Sequence, residues 1–202
     1  MQRVMVFIDF ENFNIALVKL YMRHGVTTAK LDYNILPQKL TEQLPGDQNR
    51  LAKTFLFAPK PDDFLMRDPR RKGTYDWING LKNQKYFDVV EGQHLARPVS
   101  GLEFAEMDIN KPETYFVVEK GTDINMAAHL ITKGFLHAYD TAILLTGDSD
   151  YIPILEILNT IGKTTVVVGV KGQNLFRLKG YSDDTLILDK NFFDSCTRQA
   201  KP

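Results

Sequence analysis

Residues 4–8, VMVFI, are apolar at every position, and the run stops at Asp9. Such a run suits a strand buried on both faces, as in a parallel sheet. Helical spacing follows: Phe13, Ala16, Leu17, Leu20 and Tyr21 share one face, and Gly25 punctuates the end. Leu36, Leu40 and Leu44 predict a second helix, closed by Pro45 and Gly46. AKTFLFA (52–58) reads as a second strand, ended by Pro59 and Pro61. Trp77, Ile78 and Leu81 mark a helix after the basic stretch 67–73, and YFDVVEG (86–92) is a third strand. Residues 93–113 hold Pro98, Gly101 and Pro112 and keep no steady period. They predict a hairpin or long-loop insertion near 91–114, and loops of this length are usually functional or mobile. TYFVVEK (114–120) is the strand that returns from it.

The second half alternates in the same way. DINMAAHLITKGFLH (123–137) has a helical period, with Thr122 or Asp123 placed to cap its start. TAILLTG (141–147) and TTVVVGV (164–170) are strands, with a helix over 150–160 whose first turn holds Pro153. A short helix near 172–179 and a last strand, TLILD (185–189), complete the pattern, and NFFDSC adds a final turn. Alternating strands and helices with wholly apolar strands predict a three-layer α/β/α sandwich around a mostly parallel sheet. It forms a single domain over 1–190 with a C-terminal tail, 191–202. In such sheets ligands sit outside the carboxyl ends of the strands.

That rule gives meaning to three aspartates. Asp9 ends the first strand, Asp148 follows the end of another through Thr146 and Gly147, and Asp123 begins a helix. Asp150 lies two residues past Asp148. Each alone also suits a capping role at a helix start. Together they fall on the predicted ligand-binding edge. Clustered carboxylates repel one another unless a cation neutralises them. An all-oxygen set suits Mg²⁺ or Mn²⁺ rather than zinc, and such ions serve phosphoryl chemistry.

Composition narrows the class. The chain has 202 residues, 44% of them hydrophobic, and Lys plus Arg balance Asp plus Glu at 25 each. Any nucleic-acid binding therefore rests on a local patch rather than on net charge. Cys196 is the single cysteine, which excludes an internal disulfide and multi-thiolate zinc sites, and it is read as part of a polar tail. No apolar run approaches a membrane span and the N-terminus lacks a signal-peptide core, so a cytoplasmic protein is the default. No Gly-x-Ser-x-Gly occurs to support a serine nucleophile.

Three stretches carry a resemblance. VFIDFENFN (6–14), EKGTDINMAAHL (119–130) and LLTGDSDYIPIL (144–155) resemble, in order, the signature blocks of the NYN domain family, which belongs to the PIN-like nucleases. The resemblance implies a PIN-like fold and a divalent-metal ribonuclease that leaves a 3′-hydroxyl and a 5′-phosphate. Under it, Asp9, Asp123, Asp148 and Asp150 match the metal carboxylates, Asn12 the accompanying amide, and Lys120 a lysine suited to a phosphate. The chain departs from the pattern at one position. Many members carry a further aspartate six residues after the helix carboxylate, where this chain has His129. A histidine there could be a ligand, a base, or a packed residue.

Between 60 and 85 basic residues outnumber acidic ones, most densely at Arg70, Arg71 and Lys72, with Tyr75 and Trp77 close behind. Basic residues beside aromatics suit a nucleic-acid backbone and stacked bases. A solvated loop with Trp77 in the core is the alternative. Lys171, Arg177 and Lys179 are weaker candidates, and KGQN (171–174) reads first as a simple turn. The leading expectation is a metal-dependent endoribonuclease acting on single-stranded or structured RNA, away from membranes, with a homodimer left open. Two others compete: a weakly catalytic nucleic-acid-binding or regulatory module on the same fold, and a phosphatase of the haloacid dehalogenase type. The last needs Asp-x-Asp after the first strand, where this chain has Asp9-Phe10-Glu11.

Overall fold

The structure, a computed structural model, describes residues 1–197. Seven strands form one sheet: β1 (Gln2–Asp9), β2 (Asn49–Pro61), β3 (Phe87–Pro98), β4 (Tyr115–Lys120), β5 (Thr141–Leu145), β6 (Thr164–Val170) and β7 (Asp184–Leu188). Their order is β4-β3-β2-β1-β5-β6-β7. All neighbours pair in parallel except β3 and β4, which are antiparallel. The chain builds outward from β1 through β2 and β3, then crosses back to lay β5 on the other flank of β1. The sheet reverses direction at β1, which places a crevice at the carboxyl ends of β1 and β5.

Alternation along β1 explains the layers. Val4, Val6 and Ile8 face one side, where they pack with Phe13, Leu17 and Leu20 of α1 (Phe10–Arg23) and Leu36 and Leu40 of α2 (Ile35–Glu42). Ile78 of α3 (Pro69–Gly80) and Phe193 of α6 (Lys190–Ser195) join the same layer. Met5 and Phe7 face the other side, against Met126 and Leu130 of α4 (Thr122–Phe135) and Leu155 and Leu158 of α5 (Ile152–Thr160). Phe7, Phe55 and Phe57 stack across neighbouring strands at 5.4 to 6.4 Å, and Phe7 meets Tyr139 edge-on at 5.7 Å. Each such buried ring contributes on the order of 1.5–3 kcal/mol. The three-layer α/β/α sandwich expected from the alternation is the observed fold.

Several local expectations change. Residues 93–98 are not loop: they extend β3 in register with β2 and β4, with Pro61 opposite His94 and Arg97 opposite Phe116. Only the segment after Pro98 is irregular, with short 3₁₀ turns at Phe104–Glu106 and Pro112–Thr114. The basic stretch does not precede a helix but opens one, because Asp68 caps α3 by accepting from the Arg70 N–H and Pro69 fills the first turn. Neither Thr122 nor Asp123 caps α4; Gly121 does so in the left-handed region at φ 86°. Residues 172–179 form turns rather than a helix, and the one 3₁₀ turn there is Leu178–Gly180. Trp77 is not in the core: it is 44% exposed, with one side against Tyr33 and Phe10.

The polar tail expected from residue 191 onward is also different as far as residue 197. Asp189 caps α6, Phe193 is fully buried against Phe13, and Cys196 is fully buried. The Cys196 N–H and the Asp32 N–H reach Phe193 and Cys196 carbonyls, which ties this end to the chain near α2. Residues 198–202 lie outside the described residues. No helix among the described residues is long and apolar enough to cross a membrane.

Burial pushes the Cys196 thiol up to about 11. A buried, protonated thiol is a poor nucleophile. Native protein is therefore expected to resist a thiol-specific reagent, with modification at Cys196 appearing along the urea unfolding transition. Rapid labelling in buffer would show that this end of the chain does not stay packed.

Candidate active site at the sheet switch point

The site begins with Asp9, the last residue of β1 and the N-cap of α1. Its Oδ1 accepts from the Asn12 N–H at 3.2 Å and its Oδ2 from the Thr146 hydroxyl at 3.0 Å. The capping role and a place in a site are thus compatible in one residue. Thr146 follows β5, so this hydrogen bond ties the ends of the two strands that flank the crevice. Asp9 is only 6% exposed. Burial pushes its carboxyl up to about 6 against those two hydrogen bonds, and the charges of Asp123 and Glu119 push the same way.

Tyr151 is the residue that reports convergence. It is 2% exposed and donates its hydroxyl to Asp123 Oδ1 at 3.0 Å. Burial raises its phenol, and so do the charges of Asp9, Asp123 and Asp148. One hydroxyl on the turn between β5 and α5 therefore lies within electrostatic reach of three aspartates that come from β1, α4 and the β5 end. Asp148 caps the turn Ser149–Tyr151 by accepting from the Asp150 N–H at 2.9 Å. Asp150 itself is exposed at the rim.

Asn12 locks the other side. Its Oδ1 accepts from the Gly147 N–H at 2.8 Å and from Gln173 Nε2 at 2.7 Å. Gly147 allows this approach, since a Cβ there would lie 2.2 Å from Gln173 Nε2. The GDSD turn is thus fixed to α1 and to the loop after β6 through one amide.

A second group lies beside the first. Glu11 Oε2 and His94 Nε2 are 3.2 Å apart, and Glu119 brings a carboxylate so that all three ligand atoms lie within 4.8 Å of one another. Burial acts to raise Glu11, but the hydrogen bond and charge of His94, a hydrogen bond with Glu119 and the charge of Arg71 together outweigh it, and the carboxyl sits below its usual range. A cleft of about 370 Å³ opens here, bounded by Glu11, His94, Arg70, Arg71 and Tyr75. Sequence reasoning passed over this group. Glu11 stood inside a quoted motif, whereas His94 arrives only through the register of β3, which no local signal announces.

The sequence-singled residues divide. Asp9 and Asn12 are joined by a hydrogen bond, Asp123 and Asp148 lie within electrostatic reach of Tyr151, Asp150 is exposed beside Asp148, and Lys120 is exposed at the end of β4. Among the described residues only Glu11, His94 and Glu119 bring three ligand atoms within 4.8 Å of one another. Arg70 and Arg71 border the Glu11 cleft but pair with Asp68 at 3.6 and 3.9 Å, and Lys72 pairs with Asp76. His129 points elsewhere. It packs edge-on to Phe55 and Phe57 at 5.3 and 5.5 Å, and the charges that reach it belong to Lys133, Asp88 and Lys53. Burial lowers its basicity further. This histidine is a packed residue on the aromatic face.

The oxygen donors of Asp9, Asp123 and Asp148 fit a hard divalent cation in their chemistry. The Asp9 carboxylate is buried while Asp123 is exposed and Asp148 half-buried, and positive charge beside them would offset the cost of ionising Asp9.

The architecture is of the PIN-like α/β class. A model of the NYN domain matches residues 3–188, nearly the whole chain, and the protein belongs to the NYN domain family, a family of PIN-like nucleases that in general depend on divalent metal. A crystal structure of a protein of unknown function, VPA0982 from Vibrio parahaemolyticus, is similar over 95% of both chains with a TM-score of 0.56. At 16% identity that likeness concerns the fold alone. No curated protein matches the chain.

The raised Asp9 carboxyl has a measurable sign. A carboxyl whose folded value exceeds its unfolded value favours folding only while protonated, so stability is lost as pH rises from about 4 through about 6. In chelator at neutral pH, Asp9→Asn is expected to be more stable than wild type by about 2 kcal/mol. Thermal unfolding should show the gap closing as pH falls to about 4. A variant less stable than wild type at both ends of that range would contradict the burial argument.

Proposed function

We propose that this chain is a divalent-metal-dependent endoribonuclease. The observation that carries the reading is the buried Tyr151 hydroxyl at the switch point of a parallel sheet, which donates to Asp123 and lies within electrostatic reach of Asp9 and Asp148. In this reading those three carboxylates hold Mg²⁺ or Mn²⁺, with Asp150 adding charge at the rim. When bound, such an ion polarises a phosphoryl oxygen and lowers the pKa of water.

The chain's own groups do the rest. Thr146 and the Asn12 N–H orient the Asp9 carboxylate, and Tyr151 orients that of Asp123. Partners of this kind fix ligand geometry. Asn12 holds the GDSD turn against α1. Lys120 at the end of β4 is proposed to meet the RNA backbone as a point charge. Arg70, Arg71 and Lys72 are proposed to border the strand's path from the Glu11 side. The competing reading of a weakly catalytic module drew its support from His129. That support stands, because this histidine packs on Phe55 and Phe57 and does not replace the carboxylate that many family members carry at its position.

The test is cleavage of a panel of labelled single-stranded RNA, structured RNA and DNA in Mn²⁺, in Mg²⁺ and in chelator. RNA is expected to be cut only with metal, and both Asp9→Asn and Asp148→Asn should fall to background. Absence of cutting with either ion would overturn the nuclease reading. Tyr151→Phe removes an orienting hydrogen bond and is expected to weaken metal affinity about 10–100-fold, read from the Mn²⁺ titration of the cleavage rate. His129→Leu should leave that titration midpoint where it is; a shift would return His129 to the metal site.

A further inference from the structure

A second cleft, also of about 370 Å³, opens on the opposite flank of the site from the Glu11 group. Asn12 and Gly147 form its inner wall, and Lys19, Arg23, Lys171 and Gly172 line its sides. The inner wall is the same pair that holds the GDSD turn, so the cleft adjoins the turn that carries Asp148.

Its charge is one-sided. Lys19 and Arg23 lie one turn apart on α1, and Lys171 follows β6. No carboxylate lines the cleft. Among the described residues none of the three cations forms an ion pair. The basic run on α3 differs, since Arg70 and Arg71 share Asp68 at 3.6 and 3.9 Å and Lys72 pairs with Asp76. In a chain with as many acids as bases, three unpaired cations facing one hollow repel one another, and an anion there relieves the repulsion.

The cleft is also built. Arg23 Nη1 donates to the Lys171 carbonyl at 3.4 Å, which lays the guanidinium over Gly172. Gly172 has φ +94°, and a Cβ there would sit on Arg23 Nη1. Any side chain at 172 would displace the arginine. The KGQN segment is therefore more than a simple turn: it shapes a seat for Arg23 and supplies Lys171 and Gln173 to the two walls.

We infer that the cleft of Lys19, Arg23 and Lys171 binds the phosphodiester backbone of the RNA strand adjacent to the cleavage point. This inference rests on the nuclease reading for its choice of ligand. It transfers the main backbone contact from the α3 run, where the sequence had placed it, to α1 and the loop after β6. The contacts are to phosphate, so the cleft anchors the strand without reading bases.

The experiment measures binding and needs no turnover. Affinity of the full chain for a labelled single-stranded RNA is followed by fluorescence anisotropy in chelator over a salt series. A triple variant, Lys19→Ala, Arg23→Ala and Lys171→Ala, is compared with Arg70→Ala, Arg71→Ala and Lys72→Ala. The first is expected to lose about tenfold or more in affinity and to flatten the logarithmic salt slope by about 2, from three phosphate contacts. The second should change both by less. All six side chains are at the surface or partly so, and unfolding curves verify that the variants fold.

An unchanged affinity and slope in the first triple would overturn the inference, as would the larger loss in the second, or a wild-type chain that binds no RNA. Binding that depends on the first triple, in a chain that cuts no RNA with any metal, would uphold the cleft while the nuclease reading fell. Gly172→Ala gives an independent check. It is expected to weaken RNA binding in the same salt-dependent way, because it displaces Arg23 without removing a charge.

Discussion

The hydrogen bond from Thr146 to Asp9 joins the ends of two neighbouring strands at the one place where the sheet reverses its order of growth. Much of the site is arranged around it. A carboxylate so buried would be costly without donors, and here a hydroxyl from β5's end and an amide from α1's first turn supply them. The same arrangement keeps two further aspartates close, one on α4 and one on the GDSD turn. The burial of Asp9 near two other negative charges is a penalty on folding at neutral pH, and a bound cation would offset it.

Asn12 and Tyr151 distribute that constraint outward. Asn12 joins three segments through one carbonyl oxygen, from α1 to Gly147 and to Gln173. Tyr151 anchors α4 to the β5–α5 turn. Neither is a donor of charge. Each limits how far a loaded turn can drift from the strand ends, and the glycine at 147 exists at the point where the loops touch. The two flanking clefts then differ in a simple way. On the α3 side cations and carboxylates are mixed and largely satisfied. On the α1 side the cations form no ion pair among the described residues.

The sequence by itself determined the layers and most of the candidate site. Strands apolar at every position have to be buried on both faces, and helical periods between them leave few topologies. Asp9, Asn12, Asp123 and Asp148 were legible because each sits at a strand end or helix start, where local pattern and position coincide. Only the tertiary structure decided the rest. His94 reaches Glu11 through strand register, and His129 turns to the phenylalanines because its place on α4 lies over β2 rather than over the crevice. Asp68 and Asp76 pair with a basic run that composition alone marks as a binding patch, while Lys19, Arg23 and Lys171, scattered over the chain, line one cleft. Local pattern records what a residue is and which element it joins. Ion pairing, register and burial depend on which segments become neighbours, and that is settled only when the sheet is assembled.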